Sequence, residues 1–189
     1  MKKRIKNIFR VLFLLCFFSA LAQEPAFYIR SLRSIHLNNT PNVLQPVSFR
    51  DVDVVYNKIG QFLNNKITVS APGTYEISGF ANINPGVMGN GIKDSIQMQL
   101  LLIKNPQQPT ETEISKTEFT FTYGNFDVAS GLHIAPQKII LHAGDEISMW
   151  VKILPSSTIE INKSSKYDHI NKPTGMEQIA GIRIAKVLE

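Results

Sequence analysis

The chain has 189 residues, of which 43% are hydrophobic and 19% charged, and its formal net charge is +5 at pH 7. Five basic residues near the start account for this excess: Lys2, Lys3, Arg4, Lys6 and Arg10. The chain after residue 22 has 15 Lys plus Arg against 15 Asp plus Glu. A chain that is neutral beyond these residues has no electrostatic basis for binding nucleic acid or an anionic membrane surface.

Residues 1–22 have the pattern of a secretory signal peptide. The basic residues precede an apolar run, Val11–Phe18, and then Ala20-Leu21-Ala22, which places small residues where a signal peptidase cleaves. The run is shorter than the ~20 residues that span a bilayer. We therefore predict cleavage before Gln23, a single domain over 23–189, and a secreted or otherwise extracytoplasmic protein that is not an integral membrane protein. Cleavage also removes Cys16, the only cysteine.

Beyond Ala26 the sequence predicts strands and almost no helices. Apolar and polar residues alternate in short runs, and Gly, Pro and Asn separate the runs, as in an all-β sandwich. The predicted strands, in chain order, are Ala26–Arg30, Val47–Phe49, Val52–Tyr56, two within Ile67–Ala81, Ser95–Lys104, Glu118–Tyr123, Lys138–Leu141, Ile147–Ile153 and Gln178–Lys186.

Two corners between strands make specific predictions. A two-residue hairpin at Pro72-Gly73 would set Val69 opposite Glu76, which puts apolar and polar side chains on the same face. Either the loop there has an odd length or the two strands belong to different sheets. By contrast, Ala143-Gly144-Asp145 is predicted to close a hairpin. The strand after it contains Trp150, which is predicted to be buried in the core.

Six phrases of the sequence carry a family resemblance through their order. They are Asn57 after a short strand, VSAPGTY at Val69–Tyr75, LIKN at Leu102–Asn105, ASG at Ala129–Gly131, ILHAGDEI at Ile140–Ile147 and IAGI at Ile179–Ile182. Together they resemble the globular head domain of complement C1q, which is similar in fold to the tumour necrosis factor cytokines. The resemblance covers Ala26 to Val187. This chain has no collagen stalk and carries a few extra residues, Pro136 among them, before the Gly144-Asp145 turn.

The resemblance implies a ten-stranded antiparallel jelly-roll sandwich with Pro72-Gly73 as a crossover between its two sheets. It further implies a homotrimer and a non-enzymatic role as a recognition module that binds a protein or carbohydrate partner. Some members of the family bind calcium, although the resemblance names no ligands here. A structural component of a cell-surface or extracellular assembly is the alternative function, and a secreted enzyme is a third.

Catalytic and metal motifs are absent from the sequence. No two of the four histidines lie within four residues of each other, so neither a zinc-protease motif nor a paired-histidine motif occurs. The predicted recognition surface is the long loop Ser156–Gly175, because a tyrosine beside mixed charges on a loop suits protein or glycan binding. An ordinary solvated connection is the alternative. The candidate binding residues are Lys163, Lys166, Tyr167, Asp168, His169 and Lys172.

Overall fold

The computed structural model describes residues 23–33, 35–36, 41–83, 95–122, 130–155, 169–170 and 179–188, so the predicted signal peptide lies outside the described residues. Within these ranges the chain forms thirteen strands and one short 3-10 turn at Asp51–Asp53. The strands are β1 (Gln23–Ser31), β2 (Ile35–His36), β3 (Leu44–Pro46), β4 (Val54–Asn57), β5 (Gly60–Leu63), β6 (Lys66–Val69), β7 (Gly73–Ile83), β8 (Ser95–Lys104), β9 (Thr112–Thr122), β10 (Ser130–Leu141), β11 (Glu146–Ile153), β12 (His169–Ile170) and β13 (Ala180–Val187).

The strands form two antiparallel sheets. The seven-stranded sheet has the order β4-β1-β13-β7-β10, with the short strands β12 and β2 continuing from β7, and the six-stranded sheet has the order β5-β6-β11-β8-β9, with β3 beside β11. Each sheet has five strands of four or more residues, which makes ten principal strands, and β2, β3 and β12 have only two or three residues each. The predicted antiparallel jelly-roll sandwich is confirmed.

The inward faces of both sheets supply the core. Tyr75 and Ile77 from β7 face Ile147 and Met149 from β11, and all four side chains are at most 1% exposed. Each side chain of this size stabilises the fold by about 1.5–3 kcal/mol when it is fully buried. The alternation seen in the sequence therefore reports burial between the two sheets.

The corner at Pro72-Gly73 is a crossover, as the resemblance implied. The strand before it, β6, pairs with β5 and β11, whereas the strand after it, β7, pairs with β10 and β13 in the other sheet. The Tyr75 hydroxyl reaches back across the corner and donates a 2.7 Å hydrogen bond to the carbonyl oxygen of Ala71. This bond fixes the entry of the chain into β7.

We expect Tyr75→Phe to lower the free energy of unfolding by about 1 kcal/mol, because it removes this hydrogen bond and keeps the ring. Burial also raises the pKa of the Tyr75 hydroxyl above its usual 10.0. The neutral phenol therefore stabilises the fold fully below about pH 10, and the stabilisation is lost as the pH rises through the raised pKa. Urea unfolding at neutral and alkaline pH measures both effects. An equal alkaline loss in the Tyr75→Phe variant would contradict this assignment.

The hairpin predicted at Ala143-Gly144-Asp145 is wrong. β10 pairs with β7 in the seven-stranded sheet, and β11 pairs with β8, β6 and β3 in the six-stranded sheet, so the turn joins the two sheets. Its backbone is satisfied by the end of β6: the N–H of Gly144 donates to Val69 O and the N–H of Val69 donates to Asp145 O, each at 2.8 Å. A tight turn can therefore cross between the sheets without closing a hairpin.

The extra residues before this turn form a bulge in β10. The register with β7 shifts between Ile134 and Gln137, which leaves Ala135 and Pro136 out of the regular pairing. Proline has no N–H to donate to a neighbouring strand, so a bulge is a position where a strand accommodates it. The bulge thus accommodates Pro136 and leaves the pairing of β10 with β7 intact on both sides.

Trp150 is buried, but outside the main core. The side chain is 5% exposed and packs with Leu101, Ile103 and Leu44 in a separate cluster. Its β11 neighbours Met149 and Val151 belong to the main core, so Trp150 points to the opposite face of the six-stranded sheet. The sequence correctly predicts that Trp150 is buried but places it in the main core. Alternation alone does not reveal that side chains on both faces of β11 are buried.

Candidate interaction site

The structure describes one of the six binding residues predicted from the sequence. His169 lies in β12, where its backbone pairs with that of His36, and the next residue, Ile170, pairs with Ile35 of β2 and Ile83 of β7. The loop prediction therefore stays a prediction. The other five residues lie outside the described residues: Lys163, Lys166, Tyr167, Asp168 and Lys172.

Two of the family phrases meet at one end of the sandwich. Lys104 Nζ lies 2.7 Å from Asp145 Oδ2, and the amide of Asn105 donates to Asp145 Oδ1 at 3.3 Å. The backbone N–H of Glu146 donates to Asn105 Oδ1 at 2.8 Å, and the N–H of His142 donates to Asp145 Oδ2 at 2.7 Å. The Lys-Asn end of β8 and the Gly-Asp turn before β11 thus form a single polar network that joins the two segments.

Asp145→Ala is expected to lower the free energy of unfolding by about 2–3 kcal/mol, because it leaves Lys104 and the His142 N–H without their acceptor. Burial acts to raise the pKa of Asp145, but hydrogen bonds from His142, Lys104 and Asn105 outweigh burial and hold the pKa below its usual 3.8. The carboxylate therefore stabilises the fold above about pH 4, and the stabilisation is lost as the pH falls through the lowered pKa.

Acid titration of the two variants tests this account. Asp145→Asn keeps one acceptor and removes the charge, so it should retain more stability than Asp145→Ala while losing the acid dependence that this carboxylate gives the wild type. Circular dichroism at neutral pH and below pH 4 measures both. An acid dependence identical to that of the wild type in both variants would show that Asp145 does not contribute to it.

The turn from Asn105 to Thr112, which joins β8 to β9, is anchored by the same network. Gln108 Nε2 donates to Glu146 Oε2 at 2.9 Å, and Lys66 Nζ lies 2.9 Å from that same oxygen. Within the turn, the N–H of Gln107 donates to Glu111 Oε2 at 2.6 Å. Its polar side chains therefore hold the ends of β8, β11 and β6 together.

A groove of about 480 Å³ opens on the outer face of the seven-stranded sheet. Strand pairing brings the groove's walls together. Tyr28 of β1 lies opposite Tyr56 of β4 on one side and opposite Arg183 of β13 on the other. Arg183 in turn lies opposite Ser78 of β7. The walls are mainly aromatic, with hydroxyl groups and a guanidinium at their tips. The lining residues are Pro25, Phe27, Tyr28, Tyr56, Ser78, Phe80 and Arg183.

Gly181 allows the Phe80 ring to lie flat at one end of this groove. Gly181 pairs with Phe80, and a Cβ at this position would lie 2.7 Å from Phe80 Cε1 and 2.8 Å from Ile29 O. The Phe80 ring then stacks on His133 of β10, with ring centroids 6.1 Å apart and planes 24° apart. The closing glycine of the IAGI phrase thus makes room for an aromatic surface that continues from β1 to β10.

The groove has an uneven charge distribution. Lys58 lies 5.4 Å above the Tyr56 ring, and its ammonium is 3.5 Å from the Glu24 carboxylate; interactions with Tyr56 and then Glu24 raise the pKa of Lys58. Arg183 is exposed and forms no ion pair with any residue in the described ranges. An apolar surface with a cation within it is suited to a partner that is apolar and negatively charged.

The described parts of the chain have neither a cluster of metal-ligating side chains nor a membrane-spanning helix. Among the residues that the structure describes, no three His, Cys, Asp or Glu side chains come together in a way that could hold a metal ion. Over the same residues, no helix has the length and apolar character needed to cross a bilayer.

Comparison with known proteins gives the fold. No protein-family model and no curated protein sequence matches this chain. Two crystal structures of murine APRIL are similar to it, each over 86% of this chain and 98% of the APRIL chain. The structure at pH 5.0 has a TM-score of 0.54 and 10% sequence identity. The structure at pH 8.0 has a TM-score of 0.53 and 8% sequence identity. The chain therefore shares the jelly-roll fold of murine APRIL. The globular domain of zebrafish complement 1qA protein is a looser match, with a TM-score of 0.44 and 15% identity over 87% of this chain and 96% of that one.

Sequence reasoning missed the groove on this jelly roll, although a signal was present. Phe27, Tyr28 and Ile29 are three consecutive apolar residues, and only Phe27 and Ile29 can face the core of the sandwich. In β7, Phe80 likewise stands between Gly79 and Ala81 at an outward position. Aromatic side chains at the outward positions of two strands indicate a second apolar surface, which alternation on its own does not predict.

Proposed function

We propose that the chain is an extracellular, non-enzymatic binding module that assembles as a homotrimer and recognises a protein or carbohydrate partner. The observation that supports the trimer best is the aromatic groove on the outer face of the seven-stranded sheet. Apolar surfaces of this kind on soluble domains are typical of sites of association. The fold shared with APRIL favours a binding role over catalysis.

Closed trimers need two different surfaces on each copy, since the surface that one subunit presents must fit another surface of the next. The groove lies towards β1 and β4. The other side of the sandwich, where β9 and β10 form the edges of their sheets, is the second surface that we propose; it has exposed apolar side chains at two separate points, Phe119 at 36% and Ile140 at 62%. Packing of this β9/β10 edge against the groove of the next subunit would repeat around a three-fold axis.

Partner recognition is proposed to use surfaces that stay open after assembly. The loop Ser156–Gly175 remains the leading candidate from the sequence, with Tyr167 and Lys166 as its central residues. No cofactor is proposed, although some members of the family that the sequence resembles bind calcium. A secreted module that gains stability through assembly needs no disulfide, which agrees with the single cysteine at Cys16.

A binding screen tests the recognition role. The chain from Gln23 to Glu189 is applied to glycan and protein arrays, and we expect a saturable interaction that is lost in the Lys166→Ala, Tyr167→Ala double variant and kept in a Lys116→Ala control. Saturable binding that is unchanged in the double variant would contradict the loop assignment. The absence of any interaction, together with assembly beyond the trimer, would favour a structural component of an extracellular assembly instead.

A further inference from the structure

We propose that Arg183 forms an ion pair across the subunit interface with Glu118 of the partner subunit. The inference rests on the proposed trimer and names the contact that aligns one subunit with the next. Arg183 stands in the groove beside Tyr28 and Ser78, so covering the groove removes its guanidinium from water. A guanidinium that is buried without a partner is strongly unfavourable, whereas the same group paired with a carboxylate is not.

Within the described part of its own chain, Arg183 has no carboxylate partner. Glu76 is an acidic residue on the same face of the sheet; it lies two positions from Ser78 along β7 and directly opposite Lys138 of β10. No salt bridge joins Arg183 to Glu76. The surface that covers the groove is therefore expected to provide the negative charge.

The β9/β10 edge can offer one suitable carboxylate. β10 contains no acidic residue, and β9 contains Glu113 and Glu118. Glu113 already pairs with Lys116 at 3.7 Å, whereas the hydrogen bond that Glu118 accepts comes from the neutral amide of Gln99. Glu118 is exposed and lies on the edge strand β9, on the opposite face from Phe119, so its carboxylate is open to a neighbouring subunit that packs along this edge.

Arginine and carboxylate groups suit such a contact, because the planar guanidinium can donate two parallel hydrogen bonds to one carboxylate. Directional pairing fixes the position of β9 along the groove, which nonpolar contacts alone do not. The aromatic walls would then supply most of the buried apolar area, and the ion pair would specify the alignment of the two subunits.

A charge-reversal cycle tests the contact. We expect Arg183→Glu and Glu118→Arg each to raise the dissociation constant of the trimer about ten-fold or more, since each places like charges together, and we expect the double variant to regain most of the loss. Native mass spectrometry over a dilution series measures the trimer, and circular dichroism checks the fold. Glu113→Arg is the matched control on the same strand, and it should change the trimer little because the partner of Glu113 is local.

Results of this cycle separate the two proposals. A wild-type chain that is monomeric throughout the dilution series overturns the trimer and the ion pair together. If the wild type is a trimer and the single reversals leave its dissociation constant unchanged, the ion pair alone is overturned. The same holds if the double variant dissociates as readily as the single variant that forms the weaker trimer. A trimer weakened by Arg183→Glu and unaffected by Glu118→Arg likewise overturns the pair and assigns the negative charge to another source.

Discussion

Trp150→Ala is expected to lower the free energy of unfolding by about 3–5 kcal/mol, the largest effect of any single substitution considered for this chain. The indole is 5% exposed and fills the cluster with Leu101, Ile103 and Leu44 on the outer face of the six-stranded sheet. Removing it leaves a cavity against two long central strands, β8 and β11. Urea denaturation followed by circular dichroism measures the loss.

Two control variants separate packing from hydrogen bonding at this position. The Nε1 group of Trp150 is buried and has no hydrogen-bond partner among the residues that the structure describes. Trp150→Phe should therefore lower the free energy of unfolding much less than Trp150→Ala does, because it removes only part of the ring and removes the unpaired donor with it. Leu63→Ala, at a side chain that is 54% exposed, should change stability by less than about 0.5 kcal/mol. A loss below about 1 kcal/mol for Trp150→Ala would contradict the packing of this cluster.

Phe80→Asp is expected to convert the proposed trimer to a folded monomer. The ring lies on the outer face of β7, stacked on His133 and lying over Gly181, so a carboxylate here disrupts the groove surface while the core side chains Ile77 and Ala81 are untouched. Burying an unpaired carboxylate in an apolar interface is strongly unfavourable. Size-exclusion chromatography with light scattering measures the change in mass.

The matched control for this variant is Ala143→Asp, which adds the same charge at an exposed turn away from the groove. It should leave the trimer intact. Retention of the trimer by Phe80→Asp would show that this face does not carry the association. Unfolding of Phe80→Asp would instead show that the Phe80 ring is needed for the fold, and the gentler Phe80→Ser variant would then carry the assembly test.

Local patterns in the sequence were sufficient to predict most strands, because the strands are short and half-buried. The parity of Val69 and Glu76 even excluded a two-residue hairpin at Pro72-Gly73, and the two strands do enter different sheets. At Ala143-Gly144-Asp145 the turn residues alone predict a hairpin, but the chain crosses between the sheets there. Turn chemistry specifies a change of direction, whereas the sheet that each strand joins depends on distant partners.

Several residues of the phrases that carry the family resemblance stabilise turns and strand ends of the fold. Asn57 accepts hydrogen bonds from the N–H groups of Ile59 and Gly60, each at 3.2 Å, where the chain passes from one sheet to the other. Tyr75 binds back to Ala71, and Lys104 meets Asp145. These phrases therefore predicted the architecture and carried no information about a ligand. The groove depends on side chains from four strands that are distant in sequence, which no local pattern could bring together.

Sedimentation equilibrium of the chain from Gln23 to Glu189 tests the central claim most directly, which is that the aromatic face of the seven-stranded sheet is a surface of self-association. At micromolar concentrations we expect a single species with three times the mass of one chain, and we expect Phe80→Asp to sediment with the mass of one chain. A wild-type protein that sediments as a monomer over the same range would contradict the account.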